Sequence, residues 1–153
     1  MGIPTLHAVV WAVNHLETRK MKGQISLIVS EGLIVPGHFL KVLALGDDAV
    51  FVGSAILFAV SHSQTLNALP FEPTQVVWNQ DKFKDQFKIE DGVKAAEKFF
   101  TASIEEMKMA LRAMGKRSLK ELSKKDLVSY DELTAKVIGI PFSFVPWEDI
   151  QKE

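Results

Sequence analysis

ISLIVSEGLIVPGHFLKVLALGDDAVFVGS, residues 25–54, decides how this chain is read. Ile25, Leu27, Ile28 and Val29 form a short β-rich run, the composition of a strand covered on both faces. Gly32 punctuates its end. Pro36 suits the first turn of a helix, Phe39, Leu40, Val42, Leu43 and Leu45 carry it, and Gly46 is placed to stop it. A second buried strand then runs from Ala49 to Val52. Strand, helix and strand within about 30 residues predict a βαβ unit with parallel strands and a right-handed crossover.

Working outward, Pro4 precedes a helix predicted from Leu6 to Met21 and ended by Gly23, apolar nearly all round and so expected to be covered on more than one side. Downstream of Gly53 and Ser54 a helical segment is expected from Ala55 to His62. Residues 63–87 read as a long surface excursion, with a short strand at Gln75 to Trp78, because Pro70, Pro73 and scattered aromatics break any period. The clearest helix spans Asp91 to Met114 and stops at Gly115. Its inward stripe is read as Val93, Phe100, Ile104, Met107, Leu111 and Met114. Ser118 with Glu121, and Ser129 with Glu132, have the spacing of capping boxes, which predicts short helices near Leu119 and Tyr130. From Gly139 onward the chain is expected to be extended.

Composition narrows the function classes. The chain has 153 residues, and its 18 basic against 19 acidic side chains leave a net charge of −1, so no overall field draws it to nucleic acid or to an anionic membrane surface. It contains no cysteine, which removes thiolate zinc sites, cysteine-held iron–sulfur clusters and cysteine nucleophiles, and fits a reducing, cytoplasmic setting. No apolar run reaches the roughly 18 residues that suggest a membrane span. His7, His15, His38 and His62 lack the spacing of a metal motif, although His38 stands near a helix start where it could contact an anion. Gly-x-Ser-x-Gly is absent, which argues against a hydrolase elbow. Lys116, Arg117, Lys120, Lys124 and Lys125 are interrupted by acids and read as a solvated helix face.

Two glycine-bearing turns carry the functional signal. Ser30, Glu31, Gly32 and Leu33 follow the first strand, and Gly53 and Ser54 follow the second. In (β/α)₈ barrels the loops after the last two strands commonly bind a phosphate through main-chain donors, with glycine allowing close approach.

Residue identity adds to this. Gly2 to Ala8, Ile25 to Leu33, Pro36 to Lys41 and Ala44 to Ala55 resemble the last strands of the FMN-binding glutamate synthase family. The similarity extends through Phe71-Glu72-Pro73, Val77-Trp78 and Asp91-Gly92 to Gly115-Lys116, Lys125-Asp126-Leu127 and Thr134-Ala135. The resemblance implies an α/β chain: the last two or three βα units of a partial (β/α)₈ TIM barrel in residues 1–62, followed by a mainly helical extension, 63–153, packed on the same domain. It implies FMN as cofactor, its phosphate held by Ser30, Glu31, Gly32, Leu33, Gly53 and Ser54. The implied activity is reductive glutamate formation from 2-oxoglutarate and ammonia or glutamine. The implied partner is a complementary barrel fragment, because a whole barrel takes about 250 residues and the catalytic contacts come from earlier strands. Three departures lower the flavin affinity to be expected. Glu31 stands where the family carries the first of two glycines, Ile34 replaces a basic residue, and His38 an acidic one. A non-catalytic barrel remnant that packs as a homodimer is the alternative reading, since open sheet edges and apolar faces demand cover.

Overall fold

A computed structural model describes residues 2–68, Trp78 and residues 81–144. Helix α1 spans Thr5–Thr18, strand β1 Ile28–Val29, helix α2 Pro36–Leu45 and strand β2 Ala49–Val50. Helix α3 is Ser54–Ala68, α4 a single turn at Asp81–Lys84, and α5 the long helix Ile89–Ala113. Two 3₁₀ turns, Leu119–Glu121 and Lys124–Asp126, lead to α6, Glu132–Ile138.

The central strand–helix–strand unit is present, with its two strands parallel. β1 and β2 pair in parallel, with Ile28 opposite Ala49 and Val29 opposite Val50. Pro36 opens α2 and Gly46, at φ 114°, closes it in the left-handed region that glycine tolerates best. The sheet enters squarely because the Asp48 carboxylate accepts the Leu27 N–H at 2.7 Å and the Lys22 ammonium at 3.1 Å, tying the start of one strand to the start of the other.

One core serves this unit. Val9, Val10 and Val13 of α1, Val29 of β1, Leu33, and Phe39, Val42 and Leu45 of α2 are buried together. Ile138 of α6 completes the cluster, so the distant C-terminal helix seals the floor under α1.

Several expectations need correction. The strands are shorter than the apolar runs that announce them, and they are covered on one face only. Ile28 is 59% exposed and Phe51 66%, because α1 and α2 occupy the opposite face. α1 is likewise buried on one side, with Trp11 exposed. It stops at Thr18 rather than near Met21, since Lys20 turns into the left-handed region at φ 57°. α3 continues to Ala68, six residues past the expected end. The strand expected at Gln75 to Trp78 lies outside the described residues except for Trp78, whose indole N–H donates to Thr65 Oγ1 at 2.9 Å.

α5 is where the pattern predicts it, but it is rotated. Gly92, Ser103 and Leu111 are buried and Phe99 and Met107 partly so, whereas Val93, Phe100, Ile104 and Met114 are exposed. The cause is close approach to α3. A Cβ on Gly92 would stand 3.2 Å from the Phe87 ring and 3.4 Å from the Val60 carbonyl oxygen, so the small residues face inward.

The caps also differ. The Ser118 hydroxyl accepts from the Lys120 N–H, and Glu121 reaches the Arg117 N–H rather than that of Ser118. Asp131, not Ser129, caps α6 by accepting the Thr134 N–H at 2.6 Å, which moves the helix start to Glu132. After Gly139 the described residues 140–144 return to Ser129, whose N–H donates to the Pro141 carbonyl at 2.9 Å; the rest of the expected extended tail, residues 145–153, lies outside the described residues.

Candidate functional site

The turn after β1 has an unusual main chain. Glu31 at φ 78° and Gly32 at φ 72° are consecutive residues in the left-handed region. Glycine enters that region freely. A side chain such as that of Glu31 pays for it in contact between Cβ and the following carbonyl. The turn is held from both sides, since Thr5 Oγ1 at the start of α1 donates to the Glu31 carbonyl at 3.4 Å and Leu33 is buried in the core. Ile34 N–H donates to His38 Nδ1 at 3.2 Å, which places the ring proton on Nε2 and occupies one amide of the turn.

A cleft of about 220 Å³ opens beside this turn, lined by Thr5, Leu6, Glu31, Gly32, Leu33, His38 and Lys41. His38 and Lys41 are one helical turn apart on α2, so an imidazole and an ammonium share the cleft with one carboxylate. Sequence reading placed His38 near an anion but did not bring in Thr5 or Lys41. Lys41 was findable, because i and i+3 on a helix that starts at Pro36 share a face.

The second turn leaves the same end of the parallel pair. Gly53 comes three residues after β2 and Ser54 opens α3, with the Leu57 N–H donating to the Gly53 carbonyl at 3.0 Å. The space around Gly53 is open, since an added Cβ would meet nothing within 4 Å. The four expected residues of the first turn, Ser30 to Leu33, and the two of the second therefore leave one end of the sheet. Gly53 and Ser54, however, are not among the residues lining the cleft that holds Glu31, Gly32 and Leu33.

A second cleft, of about 260 Å³, lies between α1 and β1 and is lined by residues that include Ala8, Ala12, Ile28, Ser30 and Asp47. Asp47 went unnoticed in the sequence. Burial pushes its carboxyl up to about 6, only partly opposed by the nearby Lys22 cation and reinforced by the Asp48 charge. Asp48 is the reverse case: the Leu27 N–H and then the Lys22 ammonium hold it below the usual carboxylate range. The signal was the doubled acid, since a single aspartate suffices to tie the strand starts. Among the described residues no group of three or more His, Cys, Asp or Glu is placed to hold a metal ion, and no helix is long and apolar enough to cross a membrane.

The parallel strand–helix–strand unit leaves two glycine-bearing turns at one strand end, a place where main-chain amides can meet an anion. Residues 1–117 match the family model described as the conserved region in glutamate synthase, and the chain belongs to the glutamate synthase family. It is similar to a glutamate synthase large subunit-like protein of Rhizobium meliloti (strain 1021), 26% identical over 165 aligned positions that take in 96% of this chain. The chain spans 37% of the length of that relative. No solved structure matches it.

Proposed function

We propose that the chain is a C-terminal piece of a flavin-dependent, glutamate synthase-like barrel, in which β1 and β2 are the last strands and the turns after them hold the phosphate of FMN. The observation that carries this reading is the left-handed pair Glu31–Gly32 at the end of β1, with the first turn of α3 at the same end of the neighbouring parallel strand. Two adjacent left-handed residues form the backbone shape natural to the pair of glycines usual in the family. The shape is kept here although one glycine is a glutamate.

The main-chain amides of the two turns are the expected donors to a phosphate, and one side chain opposes it. The amides of Gly32, Leu33, Gly53 and Ser54, with the Ser54 hydroxyl, would hold the anion, and Lys41 and His38 stand on the adjoining wall. The Glu31 carboxylate repels it. FMN, when bound, supplies the redox chemistry, and this chain's part is to anchor and orient it. Glutamate formation from 2-oxoglutarate and ammonia or glutamine needs contacts from strands outside this piece, so the chain alone is inactive and a complementary barrel segment completes it.

Titration of the chain with FMN, and with riboflavin as the phosphate-free control, tests the reading beside the variant Glu31→Gly. The variant should bind FMN about tenfold more tightly than the wild type, the weight of one like-charge contact in a partly screened site, and riboflavin should gain nothing. Equal FMN binding by the two proteins, or an equal gain with riboflavin, would remove the phosphate assignment.

The open sheet face favours a second reading. Ile28 and Phe51 are exposed apolar groups, and a non-catalytic remnant would bury them by pairing with its own copy as a homodimer. Native mass spectrometry showing only monomer at micromolar concentration would dismiss it.

A further inference from the structure

A third cleft lies where the C-terminal segment folds back over the first two helices. It has a volume of about 230 Å³ and is walled by Leu6 of α1, Leu45 of α2, and Leu127, Val128, Ile138 and Ile140. Leu45 and Ile138 are each 2% exposed, so the cleft reaches down to the core. An apolar cavity of about 150 Å³ is large enough for benzene, which leaves room here for a body of that size and a small head group. Every lining residue comes from α1, α2 and the segment 127–140, whereas the free strand edges at which a complementary barrel segment would join belong to β1 and β2. The segment 127–140 also lies beyond residues 1–117, the part that matches the conserved region of the family.

The polar groups at this cleft are few. Lys41 is the one charged residue in its lining. The hydroxyls of Ser129 and Thr134 are committed to Asp131, the first donating to its carbonyl at 2.8 Å and the second bonding its carboxylate. That leaves the Lys41 ammonium and the Tyr130 hydroxyl, neither of which has a partner among the described residues. An apolar cleft with a free cation, a free hydroxyl and no acid is complementary to an amphipathic anion.

We propose that this cleft binds a small monocarboxylate with an apolar body of about six carbons, its carboxylate on Lys41 and Tyr130 and its body against the leucine and isoleucine walls. A purely apolar occupant would leave the ammonium without a counter-charge. A phosphate or dicarboxylate would press further charge against hydrocarbon, which is costly. A second copy docking through the same seam would bring Lys41 toward Lys41. The inference goes beyond the flavin reading, and its test contains no flavin, so either can fail alone.

Methyl NMR of the whole chain, titrated with hexanoate, hexanamide and acetate, decides it. Hexanoate should shift the methyl signals of Ile138 and Ile140 and leave that of Ile104, exposed on α5, in place. It should bind about fivefold more tightly than hexanamide, the weight of an exposed ion pair, and at least about tenfold more tightly than acetate, which lacks the apolar body. Lys41→Met, at an exposed position, should erase the preference for hexanoate while hexanamide still shifts Ile138 and Ile140, which also shows the variant to be folded. In the wild type, sodium chloride at about 0.5 M should narrow the same preference by screening. Equal affinity for hexanoate and hexanamide, a preference that survives Lys41→Met or is indifferent to salt, or acetate binding as well as hexanoate would each overturn the proposal. So would shifts spread equally to Ile104, or no shift with any of the three, as when a second copy or another part of the chain fills the cleft.

Discussion

Where α1 and α2 meet the β1–β2 pair, the buried surface is Val10, Val13, Val29, Phe39, Val42 and Leu45; the buried residues of α3 and α5, which pack on each other, include Ser61, Thr65, Gly92 and Ser103. The first region is held by apolar area removed from water. The second is held by closeness, with the hydroxyls of Ser61 and Thr65 returned to the carbonyls of Leu57 and Ser61 in their own helix. A polar side chain that bonds back to its own helix can be buried, so low hydrophobicity does not by itself mark a surface.

The largest expected effect sharpens this contrast on its apolar side. Leu45→Ala should cost about 3 kcal/mol in chemical denaturation, through lost burial and the cavity left behind. A loss below about 1 kcal/mol would mean that the region is not the core of the fold. On the other side, Ser103→Leu adds apolar volume to α5 and should nevertheless destabilise by about 2 kcal/mol, because the helices have no room for it. Stabilisation by this substitution would break the comparison.

The amount legible in the sequence follows the same division. α2 was read to the residue because Pro36 and Gly46 are dictated by backbone chemistry, and the parallel pair followed from two β-rich runs around it. The second half of α3 was lost because Ser61, Ser63, Gln64 and Thr65 look like a loop, and the back-bonding of Ser61, Gln64 and Thr65 is a property of the folded helix. α5 was found and its inward face read in part: Met107 and Leu111 turn in as the spacing selects, but Val93, Phe100, Ile104 and Met114 stay exposed while Gly92, at the tight approach to α3, and Ser103 are buried. At the site, the glycine turns were legible. The left-handed state of Glu31 was not, because a glutamate does not announce it. Asp47 was hidden for a related reason: only the fold shows which of two adjacent aspartates receives the donors.

Smaller effects test these two residues within the apolar region. The Asp47 carboxyl titrates near 6 in the folded chain against an ordinary 3.8, so the folded state binds the proton more tightly than the unfolded. The stability this confers is complete below the ordinary value and is lost as pH climbs through 6. Asp47→Asn lacks that loss, and its stability relative to wild type should rise by about 1.5 kcal/mol between pH 4 and pH 8, with water in the cleft trimming the full shift. A difference independent of pH would mean that the carboxylate is satisfied in solution. Last, Glu31→Gly should raise stability by about 1 kcal/mol by relieving the left-handed residue, measured as a higher denaturation midpoint without ligand. An unchanged midpoint would say that the turn relaxes.

The side chain of Gln64 grips the entrance of α5 with both ends of its amide: its oxygen accepts the Lys88 N–H at 2.8 Å, and its nitrogen donates to the Lys88 carbonyl at 3.1 Å. Gln64, together with the close fit of Gly92 against the Val60 carbonyl, thus sets the register between α3 and α5 apart from the length of polypeptide joining them. Evolution, or an engineer inserting a tag, can change that length while the long helix keeps its station.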